Sequence, residues 1–379
     1  MATTFAAAPA KSLLGRHRVL SPSASVRVSP LSLGTVNFGT AWNQLLGECT
    51  KESAFAMLDY FYSLGGNFID TANHYQSGQA ESWLGEWLKL RNNRDEMVLA
   101  TKFSSSAVLG TENAPEILSN YSGNSTKSLK HSLETSLARL GTSYIDVMYV
   151  HWWDFTTSAA ELMRSLNNVV QEGKVLYLGA SNMPSWFVVK CNAYARQHGM
   201  ATFVVYTGQW SAADRDLERE IFDMCASEGM AISPWGVLGG GNFKSAEVAA
   251  KEAAESRMQV YPPTVATKQV AEALRKIAAA RKTVPTCIAL AWAIQKEPYI
   301  FPIIGGRKLE HMKANIEALS IELTAEEVKE IEAAAQFDQG FPKKIMNFGG
   351  PFNGPQDLAL MTGNHDYVPA LKAIASHHI

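Results

Sequence analysis

Four side chains that could take part in proton transfer lie at or just after the ends of short apolar segments. Asp70 and Tyr75 belong to "IDTANHY", Lys102 ends "LATK" and His151 ends "MYVH". A lysine in an apolar interior keeps its charge only beside an anion, which Asp70 can supply. This cation would stabilise the phenolate of Tyr75 and lower the pKa of that tyrosine from about 10, making it a better proton donor. His151 could donate a hydrogen bond to a carbonyl oxygen.

These side chains suit the protonation of the oxyanion that forms when a hydride reaches a carbonyl carbon. None of them can supply a hydride, so the chemistry implies a nicotinamide cofactor. The reaction requires Asp70, Lys102 and His151 to lie together, although they are far apart in the sequence. Their positions must therefore be set by the elements that carry them.

Short apolar runs alternate with helical segments from about residue 31 to residue 320. Apolar residues at helical spacing mark "ESAFAMLDYFYSLG", "KSLKHSLETSLARLG", "SAAELMRSLNNVVQEG" and "TKQVAEALRKIAAARKT". Each connection is long enough for a crossover helix, so neighbouring strands should be parallel. Eight such units predict an α/β fold, the (β/α)8 TIM barrel, whose active sites lie at the C-terminal ends of the strands. The predicted strands are residues 31–36, 67–70, 97–103, 145–151, 175–181, 203–208, 230–236 and 300–305.

The segments outside this alternation set the predicted boundaries. We expect a disordered tail over residues 1–15 and a single barrel over 16–335 that includes a short N-terminal β-hairpin. We expect a C-terminal extension over 336–379, lying over or beside the barrel. Residues 104–124 and 236–265, after the third and seventh strands, are too long for simple connections. Both loops should therefore reach over the barrel mouth and shape a substrate pocket.

The composition limits the classes of partner. Of 379 residues, 46% are hydrophobic and 18% charged, which is typical of a globular protein with a large core. The net charge of -2 shows no bias toward nucleic acid or a membrane surface, and no apolar run reaches the ~18 residues of a spanning helix. The four cysteines form no CxxC pair and no HExxH motif occurs, so neither a metal nor a disulfide framework is indicated. We expect a cytoplasmic protein, either monomer or homodimer.

The motifs "FIDTANHY", "ATK", "YVH", "SN" and "PIIGGRKLEHMKANIEAL" resemble, in order and spacing over residues 31–335, the signatures of the aldo-keto reductase superfamily. The segments "YVHWWDFTTS", "GKVLYLGAS" and "PWGVLGGG" are similar to its fungal aryl-alcohol dehydrogenase and norsolorinic acid reductase branch. The resemblance implies a tyrosine acid at Tyr75, its helpers Lys102 and Asp70, and a carbonyl-orienting histidine at His151. It also implies NADPH-dependent reduction of an aromatic aldehyde or ketone, reversible as aryl-alcohol oxidation, in fungal aromatic or polyketide metabolism.

The resemblance implies a cofactor site without a Rossmann domain, and no GxGxxG motif follows a predicted strand. Thr207 stands where much of the superfamily has a glutamine that contacts the carboxamide, and Gln209 is two positions away from it. Glycines before a helix offer free N–H groups and Arg307 adds a bidentate charge, which favours NADP(H) over NAD(H). The expected cofactor-binding residues are Asp70, Ser181, Asn182, Thr207, Pro234, Trp235, Gly236, Leu238, Gly305, Arg307, His311 and Asn315.

Four tryptophans near the predicted mouth could form an apolar wall for an aromatic substrate. Trp152 and Trp153 follow the fourth strand, Trp42 follows the first and Trp235 follows the seventh. Packing in the core is an equally good interpretation for them. His74 is expected to face a helix or solvent, although it could also line the pocket.

Two other functions fit parts of the pattern. Lys102 could be the Schiff-base nucleophile of a barrel lyase, but Asp70 should keep it charged and therefore non-nucleophilic. The chain could instead be a catalytically weak subunit that binds and senses the cofactor, which tight NADPH binding without turnover would reveal. We expect NADPH or NADP+ as cofactor, with NADH less favoured, no metal, and a small aromatic carbonyl compound as the partner.

Overall fold

A β-hairpin precedes the barrel in the computed structural model, which describes residues 8–111, 114–245, 248, 262–346 and 371–375. Its strands, β1 (Arg18–Ser21) and β2 (Ala24–Val28), pair in antiparallel register. Leu20 and Val28 point away from solvent and pack against residues of the barrel interior. The predicted N-terminal hairpin is therefore present, and it covers one end of the barrel.

The segment before the hairpin is ordered from about residue 12. Leu13–Gly15 form a short 3-10 helix, and the Ser12 hydroxyl accepts a hydrogen bond from the Leu14 N–H. Leu13 and Leu14 are buried in the main hydrophobic core. The disordered tail predicted for residues 1–15 therefore does not extend through Leu13–Gly15, because the two leucines bury apolar surface. Residues 1–7 lie outside the described part of the chain.

Eight parallel strands form the barrel sheet, as the alternating pattern predicts. They are β3 (Ser32–Gly34), β4 (Phe68–Asp70), β5 (Val98–Phe103), β6 (Ile145–Val150), β7 (Val175–Ser181), β8 (Phe203–Thr207), β9 (Ala231–Ile232) and β10 (Ile303–Ile304). They pair in chain order, and β10 pairs with β3. Ile232 closes the circle, since its N–H donates to Tyr299 O and its carbonyl accepts from Phe301 N–H, both at 2.9 Å. The (β/α)8 barrel is confirmed.

Helices connect the strands on the outside of the sheet. The four segments marked by apolar spacing form α2, α4, α5 and α8 in the list below. Thr50, Ser125 and Ser158 cap helices by accepting a hydrogen bond from a backbone N–H three residues later, which satisfies one free donor of each first turn. The helices are α1 (Asn43–Leu46), α2 (Lys51–Ser63), α3 (Gln79–Arg91), α4 (Thr126–Leu140), α5 (Ala159–Gln171), α6 (Ser185–Gln197), α7 (Leu217–Glu228), α8 (Val265–Arg281), α9 (Pro285–Ile294), α10 (Leu309–Glu317), α11 (Ala325–Ala333) and α12 (Lys343–Met346).

The first part of the C-terminal extension, residues 337–345, crosses the outside of α7. The ring of Phe337 lies 4.7 Å from the guanidinium carbon of Arg215 and 5.9 Å from that of Arg219. Lys343 forms an ion pair with Asp223 at 2.6 Å and donates a hydrogen bond to the carbonyl of Glu218. This arm, residues 337–345, therefore packs beside the barrel, whereas the placement of the whole extension over residues 336–379 stays a prediction.

No single helix among the described residues has the length and apolar composition needed to cross a membrane. The consecutive helices α8 and α9 reach that composition only when they are taken together, and they are bent by 101° at the break between them.

Candidate active site

The alternation of side chains along parallel strands brings three of the predicted residues together. Phe68, Ala100 and Tyr149 belong to the core cluster inside the barrel, so the residues two positions later on the same strands also point inward. Those residues are Asp70, Lys102 and His151, and each lies within one residue of the C-terminal end of its strand. The strands β4, β5 and β6 are neighbours in the sheet. The three side chains therefore meet at one mouth of the barrel.

Lys102 and Asp70 form a buried ion pair. The Lys102 Nζ donates to both Asp70 carboxylate oxygens at 2.6 Å and to the Thr71 carbonyl at 2.8 Å. Only 2% of Lys102 and 4% of Asp70 are exposed. Burial lowers the pKa of Lys102, but Asp70 and Tyr75 outweigh burial and hold that pKa above its ordinary value. Burial raises the pKa of Asp70, and Lys102 opposes this effect. The lysine therefore stays protonated.

Tyr75 lies in the loop after β4, beside the lysine charge. The Lys102 Nζ is 5.2 Å from the centre of the Tyr75 ring. A hydrogen bond and an electrostatic interaction with Tyr75 both raise the pKa of Lys102. The Tyr75 ring also lies 6.0 Å from the His151 ring, in an edge-on arrangement. The four residues singled out as a catalytic set are thus assembled around one point.

Two neutral histidines lie in this group. Burial, followed by the charge of Lys102, holds the pKa of His151 well below its ordinary value. The same two causes lower the pKa of His74 to about 4. The His74 ring lies 5.1 Å from Tyr75 and 5.2 Å from His151, between centroids. The expectation that His74 faces a helix or solvent is therefore wrong. The loop backbone turns its ring inward, among the aromatic rings of the site.

A cavity of about 900 Å³ opens at this mouth. Asp70, Tyr75, Lys102 and His151 all lie in its wall. Its other wall residues come from several strand ends and loops: Gly34, Val36, Trp42, Leu45, Leu46, Trp152, Ser181, Asn182, Thr207, Gln209, Ser211, Ala213, Asp214, Trp235, Gly236, Gly239, Gly240, Asn242, Pro262, Thr264, Thr267, Ile303 and Gly305. A pocket of this size can hold a ligand larger than a single aromatic ring.

Three of the four predicted tryptophans lie in the cavity wall. Trp42, Trp152 and Trp235 line it, and 39% of Trp152 is exposed. Trp153 is a correction. Its ring stacks on Phe187 at 3.8 Å between centroids, and its indole N–H donates to the Thr157 carbonyl at 2.8 Å. Trp153 therefore packs between the loop after β6 and α6, on the outside of the barrel.

The predicted cofactor residues fall into two groups. Asp70, Ser181, Asn182, Thr207, Trp235, Gly236 and Gly305 lie in the cavity wall. Pro234, Leu238, Arg307, His311 and Asn315 are not in this wall. Arg307 follows Gly306 just before α10, and its charge acts on the buried thiol of Cys49. Asn315 is 3% exposed on α10. The roles proposed for this second group stay predictions.

Three polar side chains at the cavity wall suit a ligand with amide groups. Thr207 Oγ1 is buried and has no hydrogen-bond partner among the described residues. Asn182 donates to the Ser181 hydroxyl at 2.9 Å and to the His151 carbonyl at 3.1 Å, and its backbone has a left-handed φ of 49°. An unpaired buried hydroxyl is costly unless a ligand or water pairs with it. Thr207, Ser181 and Asn182 therefore fit a nicotinamide carboxamide.

The two long loops differ in their relation to the cavity. The loop over residues 236–265 contributes glycines and Asn242 to the wall, although residues 246–247 and 249–261 lie outside the described part. The loop over residues 104–124 was also expected to shape the pocket. None of its described residues lines the cavity, so this expectation is wrong for direct contact. It packs instead on the loop that carries Trp152. The Asn124 amide donates to the Trp152 carbonyl at 3.1 Å and to the Ser104 hydroxyl at 2.7 Å.

Asp154 also holds the loop after β5 against the loop that carries Trp152. Its carboxylate accepts hydrogen bonds from the backbone N–H groups of Asn124, Thr156 and Thr157 at 2.8–2.9 Å. Burial would raise the pKa of Asp154, but these hydrogen bonds outweigh burial and lower it to about 2. The loop after β5 therefore holds the Trp152 loop in place without contacting the cavity.

Several wall residues escaped the sequence analysis. Val36, Leu45 and Leu46 belong to the segment between β3 and α2, which also carries Trp42. Gln209 lies in the wall although its spacing argued against a cofactor contact. The apolar residues flanking Trp42 were a signal that could have marked this segment, because exposed apolar residues next to a strand end often line a pocket.

The sequence is similar to those of known proteins whose family agrees with this geometry. Residues 30–336 match the Aldo/keto reductase family, and the chain belongs to this family. It is an oxidoreductase that acts on carbonyl and alcohol groups.

Individual relatives also match over most of the chain. An aryl-alcohol dehydrogenase of Pestalotiopsis microspora is 53% identical over 372 residues, which cover 97% of this chain and 95% of the relative. A norsolorinic acid reductase of Aspergillus flavus is 53% identical over 337 residues, 89% of this chain and 84% of the relative. Norsolorinic acid reductase B of Dothistroma septosporum is 50% identical over 368 residues, 94% and 93% of the two chains. The resemblance to this fungal branch is thus confirmed.

Proposed function

We propose that this protein reduces an aromatic aldehyde or ketone with NADPH, with Tyr75 as the proton donor, and that it oxidises the corresponding aryl alcohol in the reverse direction. The observation that carries the proposal is the contact of Lys102 with both Asp70 and Tyr75 in the wall of one large cavity. This arrangement places a fixed positive charge beside a phenolic hydroxyl at the place where a carbonyl group can enter.

The ion pair supports acid catalysis by the tyrosine. Asp70 accepts from the lysine through both oxygens, so the cation is held in one place. A fixed cation stabilises the negative charge that develops on the Tyr75 oxygen when its proton leaves. The same contact keeps Lys102 protonated and therefore without a free electron pair, which argues against a Schiff-base lyase.

His151 supports the orientation of the carbonyl group. Its pKa lies well below the ordinary value, so the ring is neutral near pH 7 and carries one N–H. A neutral imidazole can donate that N–H to a carbonyl oxygen without adding a second full charge beside Lys102. The oxygen would then receive hydrogen bonds from Tyr75 and His151, whose rings are 6.0 Å apart between centroids.

The cavity wall supports binding of the cofactor. Members of this family generally use NADP(H) and no metal. Ser181, Asn182 and the unpaired Thr207 hydroxyl would hold the carboxamide, while Gly236 and Gly305 leave room beside the wall. A bound NADPH supplies the hydride, which no side chain of the site can provide. Arg307 is proposed to select NADPH over NADH by pairing with the additional phosphate.

The substrate class is proposed from the apolar part of the wall. Trp42 and Trp152 lie on the same side as the catalytic group, since the His74 ring is 5.8 Å from Trp42 and 6.1 Å from Trp152. Leu45 and Leu46 extend this surface. Planar aromatic compounds bury their faces well against such side chains. The names of the relatives, aryl-alcohol dehydrogenase and norsolorinic acid reductase, point to the same class.

A substrate panel tests the proposal. NADPH consumption is measured with benzaldehyde-type aldehydes and aryl ketones, and with NADH side by side, for the wild type, Tyr75→Phe and Tyr121→Phe. Loss of a general acid costs roughly 100-fold or more in rate, so Tyr75→Phe should lose at least that factor while still binding NADPH. Tyr121, whose ring stacks on His131, is the matched control and should keep its activity. Equal rates for Tyr75→Phe and wild type would remove Tyr75 from the mechanism, and tight NADPH binding without turnover of any substrate would favour the cofactor-sensing alternative.

A further inference from the structure

The residue after Tyr75 connects the catalytic loop to the Trp42 segment. Gln76 is fully buried. Its side-chain oxygen accepts from the Trp42 backbone N–H at 2.7 Å, and its amide nitrogen donates to the Val36 carbonyl at 3.0 Å. Trp42 and Val36 both line the cavity. One side chain thus spans both ends of the segment over residues 36–42, hereafter the Trp42 segment.

A second glutamine holds the middle of the same segment. The Gln79 side-chain oxygen accepts from the backbone N–H groups of Thr40 at 2.7 Å and Ala41 at 3.2 Å. Gln79 begins α3, so this attachment point is fixed by a helix of the barrel. The Trp42 segment follows β3 and belongs to no strand, and these side-chain hydrogen bonds attach it to the loop after β4 and to α3.

The backbone around Gln76 is shaped for this contact. Gln76 has φ 53° and ψ 39°, and Ser77 has φ 54° and ψ 33°. This left-handed conformation costs about 1–2 kcal/mol per residue for side chains other than glycine, and it turns Gln76 inward. Gly39 permits the close approach, because a Cβ on Gly39 would lie 2.4 Å from the Cβ of Gln76. The loop after β4 and the Trp42 segment are therefore fitted to each other.

We propose that Gln76 is a positioning residue that fixes the distance between the Trp42 segment and Tyr75. By fixing this distance, Gln76 selects the size of the aromatic substrate. A single-ring substrate gains apolar contact only if the wall stays at its distance from the tyrosine. A fused-ring substrate spans a larger gap and depends less on that distance. The selection of substrates rests on the proposed function, whereas the placement of the Trp42 segment does not.

Hydrogen exchange tests the placement without any substrate. Gln76→Met keeps the side-chain length and removes both hydrogen bonds, so amide exchange over residues 36–46 should accelerate about tenfold. Ser82→Ala is the matched control, because the Ser82 hydroxyl donates to the Gly78 carbonyl of the same loop and makes no hydrogen bond with the described Trp42 segment. Gln76→Gly relieves the left-handed backbone and should show the same faster exchange. Unchanged exchange in both Gln76 variants, with folding verified by circular dichroism, would overturn the proposal.

Kinetics test the selection of substrates. Gln76→Met should raise the KM for a benzaldehyde about tenfold, leave kcat within about threefold and change the KM for a naphthaldehyde much less. The ratio of the benzaldehyde KM to the naphthaldehyde KM should therefore rise. Gly39→Ala, which pushes a methyl group against Gln76, should also raise this ratio. An unchanged ratio in both variants would overturn the role in selection. If the wild type reduces no compound of the panel, the proposed function fails, and the exchange measurement alone decides the placement of the Trp42 segment.

Discussion

Replacing Lys102 with methionine should destabilise the protein because Asp70 would remain buried without its cation. Asp70 is 4% exposed, and the Lys102 Nζ contacts both of its carboxylate oxygens at 2.6 Å. Methionine fills a similar volume, so the loss is mainly electrostatic. Removing one partner of a buried ion pair costs about 3–5 kcal/mol of unfolding free energy. We expect the unfolding free energy of Lys102→Met to be lower than that of the wild type by this amount near neutral pH. The variant should also lose its reductase activity.

The sign of the pH dependence follows from Asp70. Burial already raises the pKa of this carboxyl, and the opposing lysine is gone in the variant. The unfolded chain releases the same proton near the ordinary pKa of about 3.9. Between these two values the folded state binds more protons than the unfolded state, so the unfolding free energy of Lys102→Met should fall as pH rises.

Urea unfolding followed by circular dichroism measures this effect. Lys102→Met is compared with the double variant Lys102→Met/Asp70→Asn at about pH 5.5 and about pH 8.5, since the double variant lacks the buried charge. Both variants lack the lysine, so the contributions of His74 and His151 largely cancel. The double variant should be more stable by about 2 kcal/mol or more at the higher pH, and its advantage should be smaller at the lower pH, which lies nearer the ordinary pKa of about 3.9. Equal stability at both pH values would refute the buried-charge argument.

Three neighbouring sites give further expectations. Asp154→Asn should lower the unfolding free energy by about 2 kcal/mol in urea, because the hydrogen bonds to the carboxylate hold its pKa at about 2. In the wild type this contribution should be lost as pH falls from about 4 to about 2. Unchanged stability would argue against the hydrogen bonds between Asp154 and the backbone N–H groups. His74, with a pKa of about 4, should lose up to about 3 kcal/mol of its contribution as pH falls from about 6.5 to about 4. His74→Phe should flatten that part of the urea-midpoint profile, and an unaltered profile would contradict the pKa. Trp152→Ala should raise the KM for aryl aldehydes with little loss of stability, whereas Trp153→Ala should lower stability by about 3 kcal/mol; the reverse pattern would contradict their placement.

The barrel and the meeting of Asp70, Lys102 and His151 were predictable from the sequence because both depend on periodicity. Side chains two positions apart on a strand share a face, and parallel strands end at the same side of the sheet. Each polar residue follows an apolar strand, so its place at the mouth needs no knowledge of loop conformation. Their close contact also agrees with the charges, since a buried lysine requires an anion.

The loops were less predictable because neighbouring residues there have no fixed alternation. Trp152 and Trp153 are adjacent and chemically identical, yet one faces the cavity and the other stacks on Phe187. Phe155 in the same loop has a left-handed φ of 60°, which no local sequence rule indicates. The inward turn of His74 likewise depends on packing against Trp42, a residue over 30 positions away in the chain.

The arm over residues 337–345 makes ionic strength a control on one side of the cavity. The arm holds α7 through Phe337 on two guanidinium groups and through the ion pair of Lys343 with Asp223, which is 57% exposed. The segment before α7 carries Gln209 and Asp214, both in the cavity wall. The Debye length falls from about 10 Å at 0.1 M salt to about 3 Å at 1 M, so a charge pair 2.6 Å apart is screened appreciably only near molar salt. Raising the salt concentration toward about 1 M should therefore weaken the attachment of the arm to α7, beside the wall that carries Gln209 and Asp214.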